Sequence, residues 1–124
     1  MIIANSILLG LVALICFLGG INLLLKGSMH FLPKETPAQP VLDNLFRFLS
    51  GIYFSGGFVM AYAALHVKDA GNVIYFLGLM VVFSGIGRLY SRLKVGSAGK
   101  YFDSMMIVEI LLGLAIIILK WLGK

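Results

Sequence analysis

Three charged residues lie in or beside apolar runs of the sequence, and their types suit the binding of an anion. Arg47 and Arg88 carry planar guanidinium groups, whose fork of donors fits a carboxylate, a phosphate or a quinone oxygen. Glu109 is the most deeply placed charge, because it lies six residues beyond Asp103 and therefore about 9 Å further along a helix. A charge at membrane depth is usually paired or lines a wet cavity. These residues therefore predict either an ion pair or a ligand site.

The ligand-site hypothesis rests on an excess of positive charge. Two arginines against one buried glutamate leave one cation uncompensated, which would attract an anionic or amphiphilic small molecule or a lipid. Asn44 shares a helical stripe with Arg47, and Tyr90 lies close to Arg88 at a helix end. The predicted ligand-binding residues are therefore Arg47, Arg88, Glu109, Asn44 and Tyr90.

Structural explanations for the same charges remain open. Asp43 and Arg47 are four residues apart on one helix and could pair locally. Arg88 lies near enough to a helix end to extend its guanidinium to the interface. Glu109 with either arginine could act only as a clamp between helices, and a titrating Glu109 would instead indicate proton or ion coupling.

Four long apolar runs must position these residues. The chain has 124 residues, of which 60% are hydrophobic, whereas about half are apolar in soluble proteins. The runs predict membrane-spanning helices over approximately 2–25, 43–66, 72–91 and 102–122. Asp43 is expected to cap the second, and glycines are expected to let helices pack closely. We predict one all-α domain over 1–124, an integral membrane four-helix bundle with up-down antiparallel order.

The basic residues indicate orientation in a membrane. The net charge of +5 does not indicate nucleic-acid binding, because the basic residues flank apolar runs instead of forming a solvated patch. More lysines and arginines fall in the first and third connections than on the opposite side. The positive-inside rule therefore places those connections in the cytoplasm and both termini in the periplasm.

The sequence offers no set of residues typical of catalysis. It contains no nucleotide-binding loop, Ser–His–Asp set or zinc-spaced cluster. His30 and His66 fall on opposite sides of the predicted membrane, so they cannot share a metal ion. We expect no catalytic residues, no metal site and no cofactor. The sequence leaves open whether the protein is an enzyme, and it favours a protein that is not. The expected partners are membrane lipids, an anionic or amphiphilic small molecule, and a second copy or another membrane protein.

Several motifs together resemble a known family. They are the segment 44–53 with Arg47 and Gly51, the Gly87-Arg88 pair, Gly96 and Glu109. The chain resembles, over nearly its whole length, small bacterial four-helix membrane proteins known as domain of unknown function 4345. It is also similar in architecture to the DoxX-like proteins, some of which are tied to quinone-linked sulfur oxidation. The resemblance implies the fold and a bacterial inner-membrane location, but no activity.

The favoured hypothesis is a small bacterial inner-membrane protein that binds its ligand at the intramembrane charges. A small transporter or channel subunit is an alternative, and proton-dependent flux would indicate it. An interaction subunit of a larger membrane complex is another, and would co-purify with a second protein. A quinone-linked redox subunit is a further alternative that requires a bound quinone.

Overall fold

The computed structural model of the protein describes residues 2–123, and these residues form helices joined by short connections. No strand occurs in that range, so the all-α prediction is confirmed. Four of the helices are 23 to 26 residues long and apolar enough to cross a membrane, which makes this a multi-pass membrane protein. In chain order, the elements are α1 (Ile2–Lys26), a 3-10 turn (Met29–Phe31), α2 (Pro40–Leu65), α3 (Val67–Ala70), α4 (Val73–Val95) and α5 (Lys100–Leu122).

The start of α2 differs from the sequence prediction. The helix begins at Pro40 and not at Asp43. Proline is favourable at the first position of a helix, because the N–H that it lacks would have no partner there. The backbone N–H of Asp43 already donates to the carbonyl of Gln39 at 2.8 Å. Asp43 therefore lies inside the first turn, and the cap predicted for it is wrong.

The end of α4 also lies further along the chain than predicted. The helix continues to Val95, so Arg92 and Lys94 lie on its last turn and not in the connection. Basic residues are favourable there because they oppose the negative end of the helix dipole. The helix ends at Gly96, whose φ of 110° is a backbone conformation that favours glycine.

The chain packs as two compact units. The α1–α2 unit is Gly10–Tyr62 and contains most of these two helices. The α4–α5 unit consists of the chain from Ala63 onward together with the first turns of α1, through Leu9. The single domain over residues 1–124 stays a prediction.

Helices α1 and α2 run antiparallel and pack closely within their unit. A Cβ added at Gly20 would lie 2.9 Å from the backbone nitrogen of Phe54, and one at Gly57 would lie 2.8 Å from the ring of Phe17. The Phe17 ring stands edge-on to those of Phe54 and Phe58, with centroids 5.3 and 4.9 Å away. Small residues and aromatic edges therefore hold this pair, as is usual where lipid supplies no hydrophobic driving force.

Helices α4 and α5 also run antiparallel, and their backbones approach each other at glycines. A Cβ added at Gly113 would lie 2.7 Å from the carbonyl oxygen of Gly78, and one at Gly85 would lie 3.0 Å from that of Met106. Ile116 is fully buried in the same unit. The predicted close packing at glycines is confirmed at these positions, and it fixes the register of the two helices.

Candidate functional site

Glu109 is the buried charge of the α4–α5 unit. Since α5 begins at Lys100, Glu109 lies nine residues along the helix, which is about 13 Å from its start. Only 9% of the residue is exposed. A carboxylate at this depth needs partners on both oxygens, because burial of an unpaired charge is strongly unfavourable.

Both carboxylate oxygens of Glu109 have partners on α4. Arg88 donates from Nε to Oε1, and the two atoms are 2.5 Å apart. The Ser84 hydroxyl lies 2.9 Å from Oε2 and 2.7 Å from the carbonyl oxygen of Val81, so its single proton is shared between two acceptors. Ser84 and Arg88 are four residues apart and therefore lie on the same face of α4.

The way in which Arg88 binds Glu109 leaves most of its donors open. The bond uses Nε, and the two terminal amino groups make no hydrogen bond to any residue in 2–123. The side chain is 27% exposed, and its guanidinium carbon lies 5.9 Å from the ring centroid of Phe102. The carboxylate therefore fixes one edge of the guanidinium, while the other edge remains able to bind an anion.

A second ion pair lies nearer the end of α4. Nε of Arg92 is 3.3 Å from Oδ1 of Asp103, and the hydroxyl of Ser97 donates to Oδ2 of Asp103 at 2.6 Å. Residues 88–109 contain four basic and two acidic side chains, so this end of the α4–α5 unit carries net positive charge. The two remaining cations are Lys94 and Lys100, and both are exposed.

Arg47 lies in the α1–α2 unit, where it has partners of its own. It donates from Nε to Oδ2 of Asp43 at 2.9 Å and from Nη1 to the carbonyl oxygen of Leu24 at 3.0 Å. The other oxygen of Asp43 accepts the backbone N–H of Ser28 at 3.1 Å. The local Asp43–Arg47 pair, which the sequence left open, is therefore present and joins the end of α1 to the start of α2.

The predicted site residues thus divide between the two units. Arg88 and Glu109 form the ion pair described above, whereas Arg47 is neutralised by Asp43. The excess positive charge near Arg88 comes from the end of α4 and the start of α5, and not from a second arginine paired with Glu109. Asn44 and Tyr90 are exposed. The assignment of all five residues to one ligand stays a prediction.

The Arg92–Asp103 pair was not predicted from the sequence. The signal for it is the register of α4 and α5, because the same antiparallel alignment that faces Gly85 with Ile110 also brings Arg92 beside Asp103. Among residues 2–123 no three His, Cys, Asp or Glu side chains gather in a way that could hold a metal ion. The open guanidinium edge of Arg88 and the exposed Lys94 and Lys100 are groups that can donate hydrogen bonds to an anion.

Comparison with known families identifies the family of the chain. The model of a domain of unknown function (DUF4345) matches residues 4–120, which is nearly the whole chain. The chain belongs to this family. No curated protein and no solved structure matches it. The description of DUF4345 names no activity. The likeness to DoxX-like proteins stays an expectation.

Proposed function

We propose that this DUF4345 protein binds an anionic or amphiphilic small molecule, or a lipid, at the Arg88–Glu109 pair. The observation that carries the proposal is the open edge of the Arg88 guanidinium. Glu109 holds Arg88 through Nε alone, and the terminal amino groups have no acceptor among residues 2–123. A carboxylate or phosphate fits such an edge with two parallel hydrogen bonds.

Glu109 acts in this proposal as a positioning residue. It lies deeper in the helix pair than Arg88 and is itself held by Ser84, so it fixes the guanidinium plane before a ligand arrives. A guanidinium fixed in advance loses less side-chain entropy on binding, which raises affinity. Arg92, Lys94 and Lys100 add positive charge around the entrance and attract an acidic headgroup.

The charge distribution indicates on which side of the membrane the site would lie. Lys94 and Lys100 flank the connection between α4 and α5, and the positive-inside rule then places that connection in the cytoplasm. The site would lie at the cytoplasmic face of a bacterial inner membrane, with both termini in the periplasm. The likeness to small bacterial membrane proteins supports the same setting.

A matched pair of amphiphiles tests the proposal. Dodecyl phosphate and dodecanol have the same chain, but only the phosphate can bind a guanidinium bidentately. In a neutral detergent, dodecyl phosphate at about 100 times its Kd should stabilise the wild type by about 2.7 kcal/mol, and dodecanol should not. Arg88→Gln should reduce the difference, whereas Lys34→Gln, an exposed lysine outside the site, should retain it in full.

Variants at the remaining residues of the predicted site extend this experiment. If Arg47→Gln and Asn44→Ala also remove the stabilisation, then Arg47 belongs to the ligand site. If only the variants of Arg88, Glu109 and Tyr90 lose it, then the site consists of the α4–α5 residues. Equal stabilisation by phosphate and alcohol, or an unchanged response in Arg88→Gln, would overturn the proposal.

A second function, as an interaction subunit of a membrane complex, is supported by open glycines. A Cβ added at Gly51 would meet no atom of residues 2–123 within 4 Å, so packing in this part of the chain does not require a glycine there. Ser55 lies four residues further along and is also exposed, giving the small-xxx-small spacing of membrane-helix contacts. Co-purification of a second membrane protein that Gly51→Leu abolishes, but Gly10→Leu does not, would favour this function.

A further inference from the structure

A small recess lies at the other end of the α4–α5 unit, where α1 begins and α5 ends. It has a volume of about 180 Å³, and its polar lining residues are Asn5, Lys68 and Lys120. These residues come from α1, α3 and α5, which are distant in the sequence. Because α4 extends for 15 residues from Val73 to Arg88, the recess is about 20 Å from the Arg88 end. It is therefore a separate site.

Asn5 brings an unsatisfied acceptor to this recess. The residue is only 2% exposed. Its amide nitrogen donates to the carbonyl oxygen of Ile116 at 3.4 Å. Its amide oxygen is buried and accepts no hydrogen bond from residues 2–123. Buried carbonyl oxygens are almost always paired, so a turn of the Asn5 side chain toward an N–H or O–H donor in the recess would satisfy this oxygen.

The two lysines bring positive charge that no carboxylate of residues 2–123 neutralises. Neither Lys68 nor Lys120 forms an ion pair with a carboxylate among residues 2–123. Two ammonium groups that line one recess attract an anion. A phosphodiester with a polar headgroup supplies both a negative group and a hydrogen-bond donor.

A larger groove adjoins the recess. It has a volume of about 430 Å³ and shares Ile2, Val67 and Lys68 with the recess. Apolar side chains of Ile3, Ile7 and Leu65 line it. The one hydroxyl at this groove, that of Ser6, already donates to the carbonyl oxygen of Ala64 at 2.6 Å. A groove of this kind, opening beside a cationic recess, fits the acyl chain of a lipid.

We infer that this end of the α4–α5 unit binds a glycerophospholipid whose headgroup carries a hydrogen-bond donor. The phosphodiester lies between Lys68 and Lys120, and an acyl chain occupies the groove along Ile3 and Ile7. The Asn5 side chain turns on binding, so that its amide oxygen accepts a hydrogen bond from the headgroup. Ethanolamine supplies an N–H and glycerol an O–H, whereas choline supplies neither. The site is therefore selective against phosphatidylcholine. Asp69, which also lines the groove, favours ethanolamine over glycerol because its carboxylate attracts an ammonium.

Lipid exchange with defined headgroups tests this inference. The full chain in detergent is mixed with phosphatidylethanolamine, phosphatidylglycerol or phosphatidylcholine of identical acyl chains, and retained lipid is counted by native mass spectrometry. We expect the two donor-bearing lipids to be retained more strongly than phosphatidylcholine, by about two- to tenfold for one hydrogen bond. Equal retention of all three lipids would overturn the inference.

Two variants, one single and one double, assign the contacts. Asn5→Leu, of similar volume, should lower retention of the donor-bearing lipids to that of phosphatidylcholine. Lys68→Gln with Lys120→Gln should weaken all three lipids, by roughly fivefold for each charge. Lys68 is exposed and Lys120 is half-buried, so the lysine variant tests the site even if Asn5→Leu does not fold. Unchanged retention in the lysine variant would overturn the inference.

One control separates this site from the proposed function. Arg88→Gln should leave lipid selectivity at the Asn5 recess unchanged, because Arg88 lies at the opposite end of α4. Lys68→Gln with Lys120→Gln should likewise leave the dodecyl phosphate response of the Arg88 site intact. Loss of lipid selectivity in Arg88→Gln would overturn the assignment of the phospholipid to the recess.

Discussion

Replacement of Glu109 by glutamine tests the ion pair at the centre of the candidate site. Glutamine has nearly the same shape, and its amide can still bond to Ser84. The substitution therefore removes the negative charge opposite Arg88 without creating a cavity. Any loss of stability then reports the charge-assisted bond between Nε of Arg88 and Oε1 of Glu109.

The expected magnitude follows from burial on each side of the pair. Breaking a fully buried ion pair costs about 3–5 kcal/mol because the remaining charge is stranded. Arg88 is 27% exposed and can extend its guanidinium toward the interface when Glu109 is neutral. Polar contacts between membrane helices rarely exceed about 1.7 kcal/mol. We therefore expect Glu109→Gln to lower the free energy of unfolding by about 1–2 kcal/mol.

Thermal unfolding in a mild detergent, followed by circular dichroism, measures this loss. For a chain of this size the expected decrease in Tm is about 3–10 °C. Glu35→Gln is the matched control, because Glu35 is exposed and lies in the connection before α2. It should change stability by less than about 0.5 kcal/mol. A double-mutant cycle with Arg88→Gln should give a coupling of about 1 kcal/mol. Equal Tm values for Glu109→Gln and the control, or zero coupling, would refute the ion pair.

Three further predictions follow from the packing and the charges. Gly113→Ala should destabilise the protein by about 1–3 kcal/mol, because the added Cβ meets Val82 and the backbone of Gly78. Gly51→Ala, where the added Cβ meets no neighbour, should be neutral or stabilising in the same unfolding assay. The side chains of the Arg92–Asp103 pair are 47% and 30% exposed, so a double-mutant cycle should give a coupling energy below about 1 kcal/mol. High salt should abolish that coupling energy, and a larger, salt-resistant value would contradict this prediction. A membrane-impermeant maleimide applied to intact cells should label Lys68→Cys but not Lys94→Cys, and the reverse pattern would refute the proposed orientation.

The four spans could be predicted from the sequence, and so could an arginine partner for Glu109, although the choice between Arg88 and Arg47 was left open. Apolar runs of membrane-spanning length predict the helices, and a short connection makes α4 and α5 antiparallel neighbours. The end of α4 then meets the start of α5, so a buried glutamate on one helix finds an arginine on the other. Close packing at Gly78 and Gly113 follows from the same physics.

Other features depended on choices that the sequence leaves balanced. Arg47 had two possible carboxylate partners, and it binds Asp43, which lies one turn away on its own helix. The start of α2 at Pro40 was not predicted, because proline breaks a helix when it lies in the interior, although it is compatible with the first turn. The recess at Asn5 could not be predicted, because its lining residues come from three segments that only the folded chain brings together.

Native mass spectrometry of the gently extracted protein tests the proposed function most directly, with Arg88→Gln and Lys34→Gln measured beside the wild type. We expect a discrete bound mass of an acidic amphiphile in the wild type and in Lys34→Gln. That mass should be absent from Arg88→Gln, while phospholipid held at the opposite end of α4 is retained. A wild-type protein without such a mass, or a mass that persists in Arg88→Gln, would contradict the proposal that Arg88 binds an anion.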